Sequence, residues 1–392
     1  MHTMITKLLI DNDQALRDFA EACQKSSYMA VDTEFLREKT YYPKTCLIQI
    51  GIEGTIAIID PFPLSDLTPL TRPLTDPNVL KIFHACTQDM EIILHETGVL
   101  PTPVFDTQIA ATLLGKNQQA SYALLVSQYC NVELTKKDSF TDWSRRPLSP
   151  SQIQYAADDV LYLPEIYEKM VETLREKNRL EWLSDAFEEL SDPDRYVVDP
   201  YARYKKLKRV NQLKPRQLAA AREFAAWREL KAQARDIPRK WVVSDEQIVE
   251  ACRREACTLD ELYMVRGMRE SLRTNEAREV IACIKKGINC PTDQLPVLQG
   301  KSKNEANVDA IVDVLAGIAR KCAKENDIAP QTLASHAELT KLARGHHEDC
   351  EILKGWRRRI LGNTLLDFLA GKLTLQITDG NLEIAQSHEC AE

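Results

Sequence analysis

Two acids stand two residues apart in Met29-Ala30-Val31-Asp32-Thr33-Glu34-Phe35, near the end of an apolar run. Alternation along a strand points both carboxylates to one face. Like charges that close oppose each other unless a cation or a proton intervenes. A third acid, Asp89, follows the strand-like Lys81-Ile82-Phe83-His84 by a turn and opens a helical pattern that Thr87 is placed to cap. The fourth element is Tyr155-Ala156-Ala157-Asp158-Asp159. Tyr155 and Asp159, four apart, share a helix face, and Asp158, three from Tyr155, lies nearly on it. Spacing leaves the two aspartates open.

Each element alone has an ordinary reading as a strand end or a dipole-stabilised first turn. Together they suit one chemistry. Hard divalent cations take oxygen ligands, and two ions about 3.5 to 4 Å apart can clamp the attacking and leaving oxygens of a phosphodiester. A tyrosine adds a phenol that can orient a water. An unperturbed phenol near pKa 10 is a poor base at neutral pH, so orientation is the role expected of Tyr155.

These residues need a scaffold. Residues 5–10, 28–34, 46–52, 55–59 and 80–84 are β-rich runs, with the turn signal Glu53-Gly54 between two of them. Residues 14–23, 88–96, 107–114 and 151–175 carry apolar positions at helical spacing. The pattern predicts an α/β domain with an early antiparallel meander and later crossovers, hence a mixed sheet. Beyond residue 175 strand signals almost vanish, and the acidic, proline-punctuated stretch 188–200 marks a boundary. Within the all-helical remainder a repeat occurs at an offset of 91: Asp236-Ile237 returns as Asp327-Ile328, Val242 as Leu333, Ser244 as Ser335 and Ile248 as Leu339. Pro238 and Pro330 sit beside the Asp-Ile pairs, and a polar linker spans residues 291–307.

A chain of 392 residues is expected to divide into two or three domains. No apolar run reaches the roughly 18 residues of a membrane helix, and the first ten residues lack the features of a signal peptide. Eleven scattered cysteines with no C-x-x-C pair point to reduced thiols in a cytoplasmic protein. The net charge of −7 argues against a phosphate-rich partner, but its distribution does not. Residues 203–240 hold thirteen basic residues against three acids, a net +10, leaving −17 for the rest. His346, His347, Asp349 and Cys350 read as a surface cluster rather than a metal site, since they lack second ligand spacing.

Val31-Asp32-Thr33-Glu34-Phe35, Phe83-His84-Ala85-x-x-x-Asp89 and Tyr155-x-x-x-Asp159 resemble the three exonuclease motifs of the tyrosine-type DEDD superfamily. Tyr41-Tyr42-Pro43, Leu47-Ile48-Gln49, Phe105-Asp106-Thr107-Gln108 and Thr141-Asp142-Trp143-x-x-Arg146-Pro147-Leu148 narrow the resemblance to the ribonuclease D family. Cys86, Thr87 and Phe140 depart from residues common there without removing a catalytic group. The resemblance implies an α/β ribonuclease-H-like exonuclease domain followed by two small all-α HRDC domains. The limits it suggests are 1–178 for the exonuclease domain, 179–210 for a linker, and 211–291 for the first HRDC domain, with its Gln217-Leu218-x-x-x-Arg222-x-x-x-x-Trp227-Arg228 run. A second linker at 292–303, the second HRDC domain at 304–378 and a frayed tail at 379–392 complete the division.

The same resemblance implies that Asp32, Glu34, Asp89 and Asp159 hold two divalent metal ions, Mg²⁺ or Mn²⁺, with Tyr155 orienting the water, and so selects Asp159 over Asp158. It also implies a 3′→5′ exoribonuclease acting on tRNA precursors with 3′ extensions. A monomer is expected because two appended helical domains can supply the RNA grip, with a ring-forming oligomer as the other option. RNA contacts are expected from Lys205, Lys206, Lys208, Arg209, Arg222 and Arg228, with His84 either packing or touching RNA. A DNA-directed exonuclease and a non-catalytic RNA-binding scaffold are the alternatives.

Overall fold

The computed structural model describes residues 5–116, 118–134, 141–298, 307–348 and 350–387. Its centre is a six-stranded mixed sheet of order β1-β4-β3-β2-β5-β6, with β1 Thr6–Ile10, β2 Tyr28–Leu36, β3 Lys44–Ile52, β4 Thr55–Ile59, β5 Leu80–Phe83 and β6 Val104–Asp106. The expected meander is β2-β3-β4, antiparallel throughout, while β1, β5 and β6 join in parallel. Helices α1 Asp13–Cys23, α2 Thr71–Thr75, α3 Thr87–Thr97, α4 Thr107–Thr112, α5 Tyr122–Cys130, α6 Pro150–Leu161 and α7 Leu163–Glu176 surround it.

Strand alternation divides the core. Met29, Val31, Ile48, Ile50, Ala57 and Ile59 share one cluster with Leu16 and Phe19 of α1 and with Met90 and Ile93 of α3. Ala30, Leu47, Ile56, Ile58 and Ile82 share the other with Ala156, Ala157 and Val160 of α6. Each fully buried aliphatic side chain contributes about 1.5–3 kcal/mol. Asp32 continues the Ala30 row, so burial of that row turns the acid toward the α6 side.

Four local readings differ from the structure. The helix predicted over 151–175 breaks after Leu161, where Pro164 lies in the first turn of α7; proline has no N–H to continue the preceding helix. β6 and α5 carry too few periodic residues to stand out in the sequence. The boundary stretch packs back on the sheet domain through α8, Ser184–Leu190, whose Phe187 and Leu190 join the β1–β5 core. The tail is not frayed throughout: β7 Leu373–Thr378 and β8 Asn381–Gln386 form an antiparallel hairpin, with Leu375 and Ile384 packed on the core beneath.

The helical remainder runs α9 Pro215–Arg235, α10 Arg239–Val242, α11 Asp245–Arg253, α12 Leu259–Tyr263, α13 Met268–Ser271 and α14 Thr274–Ile288. It then continues as α15 Asp309–Glu325, α16 Pro330–Leu333, α17 His336–Ala343, α18 Gly355–Arg357 and α19 Asn363–Leu369. The offset repeat has a structural counterpart at its start, because α9, α10 and α11 correspond to α15, α16 and α17. Asp236, which caps α9, and Asp327, one residue beyond the cap of α15, both adopt left-handed backbone, at φ 46° and 50°.

Both repeats lean on the sheet domain. Asp236 accepts from the backbone amides of Tyr41 and Tyr42, while Asp327 pairs with Lys177 and the carbonyls of Asn326 and Asp327 take Arg179.

Lys81, fully buried on β5, donates to the carbonyls of Asp76, Val79 and Thr102 and ties the loops on either side of its strand. Lys81→Met keeps the apolar stem and abandons those acceptors. Urea unfolding should show a loss of about 1–3 kcal/mol; an unchanged midpoint would mean that the carbonyls find other donors.

Candidate active site

Three of the predicted acids converge. Carboxylate oxygens of Asp32, Glu34 and Asp159 lie within 4.8 Å of one another, the one such group of potential metal ligands found among the described residues. Asp32 pairs in register with Gln49 on β3, and the register shifts after Glu34, so the strand is irregular where its second acid sits. Such a bulge re-aims a side chain without ending the strand.

Asp89 arrives from the other side, in the first turn of α3, and accepts from the Thr33 hydroxyl. The expected cap differs, because Thr87 is already helical and Cys86 occupies the cap position with no side-chain bond. Asp106 stabilises this turn instead. Its carboxylate accepts from Ala85 N at 3.2 Å and Cys86 N at 2.8 Å, and from Gln108 N and Ile109 N at the start of α4.

Asp159 comes from α6, whose start is set by a reciprocal Ser149–Gln152 capping box with Pro150 in the first turn. Arg146 anchors the preceding loop, donating to both oxygens of Asp60 and to the carbonyls of Cys46 and Trp143. Buried Trp143 packs on Tyr155, ring centroids 5.8 Å apart. Tyr155 is thereby held on the helix face of Asp159. Asp158 points elsewhere: its carboxylate accepts from Gln154 Nε2 at 2.6 Å, and Lys7 lies close enough to attract it. The structure therefore separates the two aspartates that spacing left open.

Electrostatics follow from this crowding. Burial, then Asp89, Asp159 and Glu34, push the Asp32 carboxyl well above its ordinary range. Burial and the Asp159 and Asp89 charges raise Glu34 to about 8. Burial and Asp158 raise Asp159 to about 7, and burial raises Asp89 to about 6 against the lowering effect of its Thr33 bond. No basic side chain offsets the charge at Asp32, Glu34 or Asp159 among the described residues. An oxygen-only set of mutually repelling carboxylates fits a hard divalent cation.

Other predicted residues separate. His84 lies 2.9 Å from the Thr107 hydroxyl through Nδ1 and tilts against Tyr122, and burial lowers its pKa. It is a packed imidazole outside the acidic group. Lys205, Lys206, Lys208 and Arg209 are exposed. Arg228 is not available to RNA as expected: it is 4% exposed and donates to the Val243 carbonyl and Asp245. Arg222 is half-buried and is engaged by Glu223 and the Gln294 carbonyl. Helical spacing shows which residues share a face but not which face is covered. Phe140 and Asp349 lie outside the described residues.

Three motif residues outside the acidic group shape its surroundings. Asp106 and Arg146 hold the two turns that aim Asp89 and Asp159, and Gln49 is fully buried beside Asp32 with neither amide atom bonded. Only the paired geometry reveals such roles.

The chain matches the 3′-5′ exonuclease family over residues 8–175 and the HRDC domain over 217–284. It is 36% identical over 383 residues to ribonuclease D of Sphingobium indicum, covering 97% of this chain and 98% of that protein. To ribonuclease D of Granulibacter bethesdensis it is 35% identical, over 96% of each. The solved structure of Escherichia coli RNase D, described as an exoribonuclease involved in structured RNA processing, superposes with a TM-score of 0.81 at 30% identity, over 94% of this chain and 99% of that one.

Carboxyls raised in the folded chain keep protons that the unfolded chain loses from about pH 4 upward. Stability from this cluster therefore falls as pH rises through the values of about 6, 7 and 8. Cations and protons compete for the same oxygens. Mg²⁺ or Mn²⁺ should raise the Tm more near pH 8 than near pH 5.5, and less so in Asp32→Asn. Equal increments at both pH values in thermal unfolding would argue against a shared cation site.

Proposed function

This chain belongs to the ribonuclease D family and is a 3′→5′ exoribonuclease, and on that premise we propose that it trims 3′ extensions from tRNA precursors as a monomer in the cytoplasm. The observation that carries the site assignment is the convergence of Asp32, Glu34 and Asp159 within 4.8 Å, a group of carboxylates that raise one another's pKa. The exonuclease family is metal-dependent. In our reading Asp32, Glu34, Asp89 and Asp159 hold two divalent ions, Mg²⁺ or Mn²⁺. Bound there, such ions supply positive charge against the negative charge that develops on the phosphate during hydrolysis. The Tyr155 phenol orients the attacking water by hydrogen bonding through Oη. The product is one 5′-mononucleotide per cycle.

The RNA body rests on the exposed cations of the helical half. Lys208 and Arg209 line a cleft of about 530 Å³ with Arg253 and Arg266, and Arg203, Lys206 and Lys240 line one of about 440 Å³. We assign the exonuclease domain to 1–178 and two HRDC domains to 211–291 and 304–378. The second copy is supported by the matching helix order and by the left-handed aspartate that follows each long helix.

Asp32→Ala should abolish metal-dependent release of mononucleotides from a 3′-extended tRNA, and Tyr155→Phe should lower kcat on the order of 10²-fold with little change in KM. Continued trimming by Asp32→Ala, or internal cuts, would remove the site assignment. Combined Lys205→Ala and Lys206→Ala should raise KM for long RNA and reduce the slope of log affinity against log salt by about 1–2. An unchanged salt slope would place the RNA body elsewhere.

A further inference from the structure

The strand that carries Asp32 and Glu34 exits into residues 37–43, a loop that leaves the sheet domain and enters the first helical domain. Tyr41 on this loop is only 9% exposed and belongs to the apolar cluster built by α9, α11 and α14. Its hydroxyl donates to Glu229 and accepts from Gln233 Nε2 at 3.1 Å and Arg239 Nη2 at 3.0 Å. Arg239 covers the ring, 4.6 Å from its centroid, and grips the fully buried Glu229 through two nitrogens at 2.6 Å. Asp236 takes the amides of Tyr41 and Tyr42, each at 3.0 Å.

The loop is also tied to the helix that brings Asp89. Tyr42 stacks on His95 of α3 with centroids 4.3 Å apart and planes 9° from parallel. Arg37 forms a two-nitrogen bond to Glu91, and Thr45 donates to Glu96 at 2.7 Å. Across from this loop stand Thr141, Asp142 and Ser144, on the segment leading into α6. Leu36, Glu38, Lys39, Thr40 and Lys44 face them over a cleft of about 490 Å³. One short loop thus borders the strand and the helix that carry three of the four site acids, and faces the segment leading into the helix that carries the fourth.

We propose that Tyr41, Glu229, Arg239 and Asp236 are positioning residues, through which the first helical domain aligns β2 and α3 for cutting in addition to any grip on RNA. This rests on the reading of Asp32, Glu34, Asp89 and Asp159 as the cutting site. Catalytic groups displaced by about 1 Å can lose 10²-fold in rate, so a slack loop acts on turnover. A helical domain that only holds RNA acts differently: weakening its contacts raises KM for long RNA and spares oligonucleotides too short to reach it.

The test uses the full chain, with a trinucleotide and a long 3′-extended RNA as substrates. Tyr41→Phe keeps the ring in its apolar cluster and removes one oxygen; Asp236→Ala removes the amide acceptor, and Asp236→Asn retains it. Tyr41→Phe and Asp236→Ala should each lower kcat on both substrates on the order of tenfold, with KM for the trinucleotide nearly unchanged and with recovery in Asp236→Asn. Normal kcat on the trinucleotide in both variants, a rise confined to KM for the long RNA, or no recovery in Asp236→Asn would each overturn the proposal. Activity surviving in Asp32→Ala would instead overturn the site on which it rests.

Discussion

Mutual repulsion among half-buried carboxylates is the constraint around which the rest of the structure is organised. Asp32, Glu34 and Asp159 approach within 4.8 Å, and Asp89 adds its charge from α3. Such a group cannot assemble by its own attraction, so its cost must be carried by apolar packing and backbone bonds elsewhere. The sheet does this directly. Buried neighbours on both faces of β2 leave Asp32 and Glu34 no alternative register, because a slip of one residue would turn Ala30 and the acids to the wrong side.

The two helices need separate devices. For α3 the device is Asp106, whose carboxylate collects four backbone amides from two turns and so couples β6 to the start of the helix bearing Asp89. For α6 it is Arg146, which binds Asp60 and three carbonyls and keeps Trp143 under Tyr155. Neither residue joins the acidic group. Each converts a chain reversal into a fixed geometry by satisfying backbone groups that burial would otherwise leave unpaired.

The helical half follows a repeated scheme, in which a long helix is followed by an aspartate in left-handed backbone that meets the sheet domain. Asp236 does so through its carboxylate, and Asp327 through its carboxylate and the carbonyls beside it. The second repeat also shares a continuous core with α4, α5 and α7, so it is packed rather than tethered. Of the basic run, Arg228 and Arg222 make internal bonds, while Lys205, Lys206, Lys208, Arg209, Lys214, Arg216, Arg235 and Lys240 are exposed.

Much was legible in the sequence because period and motif report local facts. The alternation around Asp32, the four-residue step from Tyr155 to Asp159 and the offset of 91 each survive in the structure. The family resemblance, resting on three motifs in order, supplied the activity. Tertiary structure alone decided matters that depend on what lies opposite a residue. It buried Arg228, folded residues 373–386 into a hairpin and brought Tyr41 into another domain. The physical reason is that spacing along a chain specifies which side chains share a face, whereas burial and pairing are set by partners far away in sequence.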